Sequence, residues 1–85
     1  MSTRDQRLRL AQLLERVAAG EVSPQQALLQ TKEWTDVPWR EWVIADAYHG
    51  LQHFQIDADV RGKDPQYSDR QRQGLMRLAS RLREQ

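Results

Sequence analysis

The chain has 85 residues, of which 39% are apolar and 29% charged, and its formal net charge is +1. This length predicts one small domain that spans residues 1–85, and a charge near zero is unfavourable for a nucleic-acid-binding surface. The absence of cysteine excludes disulfides, thiolate metal ligands and cysteine nucleophiles.

Two amphipathic helices are predicted in the first part of the chain. The first covers about residues 3–19 and ends at Gly20, where a left-handed helix stop is expected. Its apolar stripe consists of Leu10, Leu13, Leu14 and Val17. The second helix is short, with Ser23 as its cap and Pro24 at its first position, and it is expected to reach about Trp34.

The third helix is predicted to be the longest and most buried. It is expected to begin near Pro38 and to continue to about Asp59. Its inner face repeats every three or four residues: Val43, Ala47, Leu51 and Phe54. Gly50 lies within it and suggests a close approach by a neighbouring helix, while Trp34 is expected to cover the junction between the second and third helices.

The fourth helix is predicted to start either at Asp64 and Pro65 or at Ser68, where Ser68 and Gln71 would form a capping box. Its stripe comprises Tyr67, Leu75, Leu78 and Leu82, and Met76 points elsewhere. The four segments predict an all-α protein without a sheet, built as a small up-and-down-like bundle of four helices whose second helix is short.

The segment between the last two helices begins like a calcium-binding loop, because Asp57, Asp59 and Gly62 occupy positions 1, 3 and 6. Position 5 is Arg61, however, and position 12 is Ser68, so a cation and a hydroxyl replace two required ligands. The segment is therefore interpreted as a corner between helices whose aspartates pair with nearby arginines.

The third helix also carries a polar-aromatic edge. At about 100° per residue, its aspartates and histidines fall within about 80° of one another. The edge consists of Trp39, Trp42, Asp46, His49, His53 and Asp57. Exposed tryptophan together with histidine and aspartate is typical of residues that anchor protein interfaces.

Three interpretations of this edge remain open from the sequence. Its polar side chains could pair with a basic stripe on the fourth helix, formed by Arg70, Arg77 and Arg81. The edge could instead be a recognition surface for a partner. A third possibility is a metal site in which Asp46, His49 and His53 are the ligands, although the glutamate of a His-Glu-x-x-His motif is absent.

We expect a non-enzymatic interaction or regulatory protein that binds another protein, or a second copy of itself, through the polar-aromatic edge. In size and architecture it resembles small bacterial regulatory, antitoxin and toxin-immunity proteins, an analogy of shape alone. No cofactor is expected, because the sequence contains neither a glycine-rich phosphate loop nor a nucleophile elbow. The alternatives are a metal-binding helical protein and a nucleic-acid accessory that uses Arg70, Arg77 and Arg81 for anions. The N-terminal segment has no apolar run, so we expect a cytoplasmic protein that is not inserted in a membrane.

Overall fold

A computed structural model describes residues 3–34, 37, 40–57 and 62–84. Four helices are described: α1 (Thr3–Ala18), α2 (Pro24–Lys32), α3 (Trp42–Ile56) and α4 (Pro65–Glu84). No strand occurs in these ranges, and α2 is the shortest of the four helices. The predicted all-α bundle with a short second helix is therefore confirmed.

The ends of α1 and α2 follow the local signals in the sequence. Gly20 has a positive φ of 79°, and the N–H of Glu21 donates to the carbonyl of Arg16 at 2.9 Å, which closes the end of α1. The Ser23 hydroxyl accepts from the Gln26 N–H at 3.1 Å, so the predicted cap of α2 is confirmed. The second helix ends at Lys32, slightly earlier than expected.

The predicted bounds of α3 were too wide, and the prediction that α3 is the longest helix was wrong, because α4 has 20 residues and α3 has 15. The helix begins at Trp42 rather than near Pro38, and it ends at Ile56, with Asp57 as its C-cap. Glu41 occupies the N-cap position but makes no capping hydrogen bond. Residues 38–39 and 58–59, where the longer helix was expected to extend, lie outside the described residues.

The start of α4 distinguishes between the two predicted alternatives. A carboxylate oxygen of Asp64 accepts from the N–H groups of Gln66 at 3.1 Å and Tyr67 at 3.3 Å, so Asp64 caps a helix that begins at Pro65. The Ser68 N–H donates to the Asp64 carbonyl at 3.0 Å, which places Ser68 inside the helix. The alternative start with a capping box at Ser68 is therefore wrong.

Side-chain pairs give the relative directions of the helices. Glu15 pairs with Arg83, whereas Ala18 and Ala19, at the C-terminal end of α1, line one cavity with Arg72 and Gln73. This order makes α1 antiparallel to α4. Asp46 lies near Arg81 while Asp57 is bound further back on α4, so α3 is also antiparallel to α4. The two neighbours of α4 consequently run in the same direction.

The core lies between α1, α3 and α4, with α2 covering one side. Its buried apolar residues include the predicted stripes of α1 and α3 in full. Leu75, Ala79 and Leu82 fill it from α4, and α2 contributes Ala27. Tyr67 and Leu78 were also assigned to the α4 stripe, but they are only half-buried because they face the boundary with α3. Because the apolar face of α3 is buried in this core, the polar face of the same helix is turned away from it.

Two ion pairs connect the ends of the bundle. The Arg7 guanidinium donates through Nε, at 2.6 Å, and through Nη2 to one carboxylate oxygen of Glu41, joining α1 to the start of α3. Arg83 Nε donates to Glu15 at 3.1 Å. The hydrogen bond from Glu15, and then its charge, raise the pKa of Arg83 above its ordinary value. Both pairs help to align α1 with its neighbours.

Gly50 allows a close approach between α3 and α4, as expected from its place within a helix. A Cβ atom built at this position would overlap with Cδ1 of Leu78. The glycine therefore gives Leu78 room against the α3 backbone, and this contact positions the two helices that frame the candidate site.

Gln6 is a polar residue buried inside the bundle. Its side chain is 1% exposed, and neither amide atom has a hydrogen-bond partner within the part of the chain that the structure describes. A buried, unsatisfied polar group costs about 1–3 kcal/mol. We therefore expect Gln6→Met, which keeps the length of the side chain, to raise the free energy of unfolding by about 1–2 kcal/mol.

Urea unfolding followed by far-ultraviolet circular dichroism measures this gain. The matched control is Gln12→Met, since Gln12 is an exposed glutamine on the same helix and its replacement should change stability by less than about 0.5 kcal/mol. A loss of stability in Gln6→Met alone would show that the Gln6 amide makes a favourable interaction.

Candidate partner-binding surface

The polar-aromatic edge lies along the outer side of α3. Trp42, Asp46, His49 and His53 are all exposed, and they belong to one uninterrupted helix. Trp42 is 67% exposed, which is high for the largest side chain in the sequence. Asp57 is half-buried at the C-cap, and Trp39 lies outside the described residues. Four of the six predicted edge residues therefore share one accessible surface.

This exposure follows from the periodicity of α3. Val43, Ala47 and Leu51 are buried on the core side, and successive residues advance by about 100°. The residues of the edge consequently point away from both α1 and the core. The same geometry brings Ile56 to the outer side, about four helical turns after Trp42, and it is 68% exposed. Ile56 was not predicted to lie on this surface, although an isoleucine outside the apolar stripe was the available signal.

The two aspartates of the edge face α4. Asp46 Oδ2 lies 3.5 Å from Arg81 Nη1, so the predicted pairing with the basic stripe occurs at this position. Asp57 Oδ2 accepts from the Tyr67 hydroxyl at 2.8 Å and from Gln71 Nε2 at 2.9 Å. Tyr67 and Gln71 were not identified from the sequence as partners of Asp57. The Asp57 carboxylate therefore fastens the end of α3 to α4.

A groove runs along the boundary between α3 and α4. It encloses about 350 Å³. We define this α3–α4 groove by the residues that line it: Gly50, His53, Phe54, Gln71, Gly74, Leu75, Arg77, Leu78 and Arg81. Buried Phe54 and Leu75 belong to the core, whereas His53, Arg77 and Arg81 are exposed. The groove thus has an apolar base and a basic rim, and it shares His53 with the polar-aromatic edge.

The basic stripe of α4 is placed on the outside of the bundle. Arg70, Arg77 and Arg81 are all exposed. The pair with Asp46 involves Arg81, and its two side chains remain about half exposed, so it contributes little to stability. The stripe consequently remains accessible to an anionic partner.

The predicted metal ligands are not assembled into a site. Asp46, His49 and His53 share a side of α3, but no group of three or more His, Asp or Glu side chains is placed to hold a metal ion in the described ranges. Asp46 is instead directed towards Arg81. The geometry therefore offers no support for the metal-binding alternative.

Trp34 differs from Trp42 in its surroundings. It is half-buried against the core, and the Arg9 guanidinium lies 4.2 Å from its ring centroid. A cation over an indole face is a stabilising arrangement. Trp34 also lines a cavity between α2 and α3 with Tyr48 and His49. Its position agrees with the predicted packing role, and of the two described tryptophans Trp42 is the more exposed.

The exposure of His49 leads to a prediction about stability. We expect His49→Ala to change the free energy of unfolding by less than about 0.5 kcal/mol, because the imidazole is exposed. Thermal unfolding followed by circular dichroism measures the change. A loss of several kcal/mol would show that the imidazole supports the interior, and His49 would then no longer count as part of an accessible surface.

Comparison with known proteins assigns no family to the chain. No protein-family model matches it, and no match was found among curated proteins or solved structures. In the described helices, no segment is both long enough and apolar enough to cross a bilayer. The functional interpretation therefore depends on the geometry of the edge and the groove.

Proposed function

We propose that this chain is a non-enzymatic interaction protein that binds another protein chain through the polar-aromatic edge of α3. The observation that carries this proposal is the 67% exposure of Trp42 on a regular helix, beside the exposed imidazoles of His49 and His53. Tryptophan is among the residues most enriched at the energetic centres of interfaces. Burying Trp42 against a partner would remove a large apolar surface from water.

The ends of the edge support the same role. Ile56, 68% exposed, adds a second large apolar side chain on the outer side of α3. Histidine and aspartate side chains between the two apolar ends would supply hydrogen bonds that determine the register of a partner. A regulatory protein of the antitoxin or immunity type would act in this way, by occupying the surface of its target.

Site-specific photo-crosslinking tests the proposal. A photoreactive phenylalanine analogue replaces Trp42 in one variant, His49 in a second and Gln25 in a control, since Gln25 is exposed on α2. The variants are expressed in cells that produce the protein naturally, irradiated, and analysed by mass spectrometry. We expect a covalent adduct of one defined mass from positions 42 and 49 and not from position 25.

The composition of the adduct distinguishes a different protein from a second copy of this chain. Adducts that form equally at position 25, or no adduct at positions 42 and 49, would contradict the proposal. Circular dichroism of each variant confirms that the helices are intact before the comparison is made.

A further inference from the structure

We infer that the α3–α4 groove receives a short, acidic, amphipathic segment of the partner protein. This inference depends on the proposed function, because the groove adjoins the polar-aromatic edge, and it adds the chemistry by which the partner would be recognised. The two surfaces meet at His53, which belongs to the edge and also lines the groove. One helical segment could therefore contact both surfaces.

The charge of the groove favours a carboxylate-bearing occupant. Arg77 and Arg81 line it from α4, and its lining, as far as the chain is described, includes no acidic side chain. Arg70 extends the same exposed stripe. Asp46 engages Arg81 at 3.5 Å, so Arg77 is the more available guanidinium of the two. A partner carboxylate can accept two parallel hydrogen bonds from such a group.

The base of the groove favours an apolar side chain between the acidic groups. Phe54 and Leu75 form part of the core at this point, and half-buried Leu78 lies beside them. Glycine lines the groove from each helix: Leu78 packs over Gly50 of α3, whereas the space beside Gly74 of α4 is open. An amphipathic helix with apolar residues on one face and acidic residues beside them matches this arrangement.

An acidic protein segment fits these features better than a nucleic acid does. The apolar base of the groove, where Phe54, Leu75 and Leu78 lie, offers a phosphate backbone no hydrogen bonds. The formal net charge of +1 also provides little long-range attraction for a polyanion. Apolar side chains of a protein partner, in contrast, would gain from contact with the base.

A displayed library of random peptides of about 16 residues, enough for about four helical turns, tests the inference without knowledge of the natural partner. The library is selected on the intact wild-type protein, and the enriched peptides are then synthesised. We expect enrichment in aspartate and glutamate interspersed with large apolar residues. We also expect Arg77→Glu to weaken their binding roughly tenfold, because attraction becomes repulsion.

The matched control is Arg72→Glu, which makes the same charge change at an exposed position of α4 on the side facing α1. This variant should bind the peptides within about twofold of the wild type, because Arg72 does not line the α3–α4 groove. In the peptide, replacing the acidic residue that pairs with Arg77 by lysine should restore binding to the Arg77→Glu variant, because the two charges are then exchanged. Circular dichroism of both variants verifies that α4 remains folded.

Other outcomes overturn the inference, and they separate it from the proposed function. If the enriched peptides lack acidic residues, or lose affinity equally with Arg72→Glu, the groove does not select an acidic segment. Peptides that depend on Trp42 but not on Arg77 would disprove the groove proposal and leave the edge as the binding surface. Failure to enrich any peptide would count against both the groove inference and the proposed function. Tight, Arg77-dependent binding of an oligonucleotide, with no peptide enriched, would replace the acidic segment with a phosphate backbone.

Discussion

Leu51→Ala should lower the free energy of unfolding by about 2–5 kcal/mol, the range typical for truncating a fully buried leucine. Leu51 is 0% exposed and occupies the centre of the inner face of α3. Its side chain thus helps to hold this helix, and with it the polar-aromatic edge, against the core. A domain of this size has a total stability of roughly 4–13 kcal/mol, so one truncation removes a large part of it.

Urea and thermal unfolding measure this loss. Each kcal/mol lost from the free energy of unfolding should lower Tm by about 4–8 °C in a domain of this length. Leu29→Ala is the matched control, because Leu29 is 55% exposed on α2 and the same truncation there should cost less than about 0.5 kcal/mol. Equal losses at the two positions would show that α3 does not form the centre of the core.

Helix termini were predictable from the sequence where the stabilising contacts are local. Gly20 ends α1, and Ser23 and Asp64 cap the helices that follow them, each through atoms within a few residues. These signals are complete within short segments and do not depend on the rest of the fold. This locality explains why the number and order of the helices follow from the sequence alone.

The start of α3 was not predictable in the same way. Pro38 suited a helix start, but the helix begins at Trp42, directly after Glu41. The Glu41 carboxylate is held by Arg7, which is 34 residues away in the sequence. A contact of this kind depends on the packing of α1 beside α3, and nothing in the local pattern identifies it.

In the candidate site, too, local features were predictable from the sequence and contacts between helices were not. The outward direction of Trp42 and His49 follows from helical periodicity alone, and the structure places both on the exposed side of α3. The partners of Asp57 required knowledge of the register between α3 and α4. Tyr67 was assigned to the apolar stripe and Gln71 to a capping box, yet both bind Asp57. The α3–α4 groove was not anticipated for the same reason, since it exists only where the two helices meet.

Gly50→Leu should destabilise the protein by about 1–3 kcal/mol, although leucine favours helices more than glycine does. Replacing glycine in a helix gains about 1 kcal/mol from propensity. At Gly50, however, even the first added atom would overlap with Cδ1 of Leu78, and a larger side chain would force α3 and α4 apart. Gly50→Ala should be close to neutral, because the end of the Leu78 side chain can move to accept one methyl group.

A double-mutant cycle identifies the contact that is responsible. Leu78→Ala, introduced into Gly50→Leu, should recover at least about 1 kcal/mol relative to the sum of the two single changes, because the two residues touch. Gly74→Leu is the matched control: a Cβ atom there meets nothing within 4 Å, so the propensity gain should make this variant as stable as the wild type or more stable. Urea unfolding of the five variants gives these differences. Additive effects at positions 50 and 78 would show that Gly50 does not determine the spacing of α3 and α4, and the groove would then depend on other contacts.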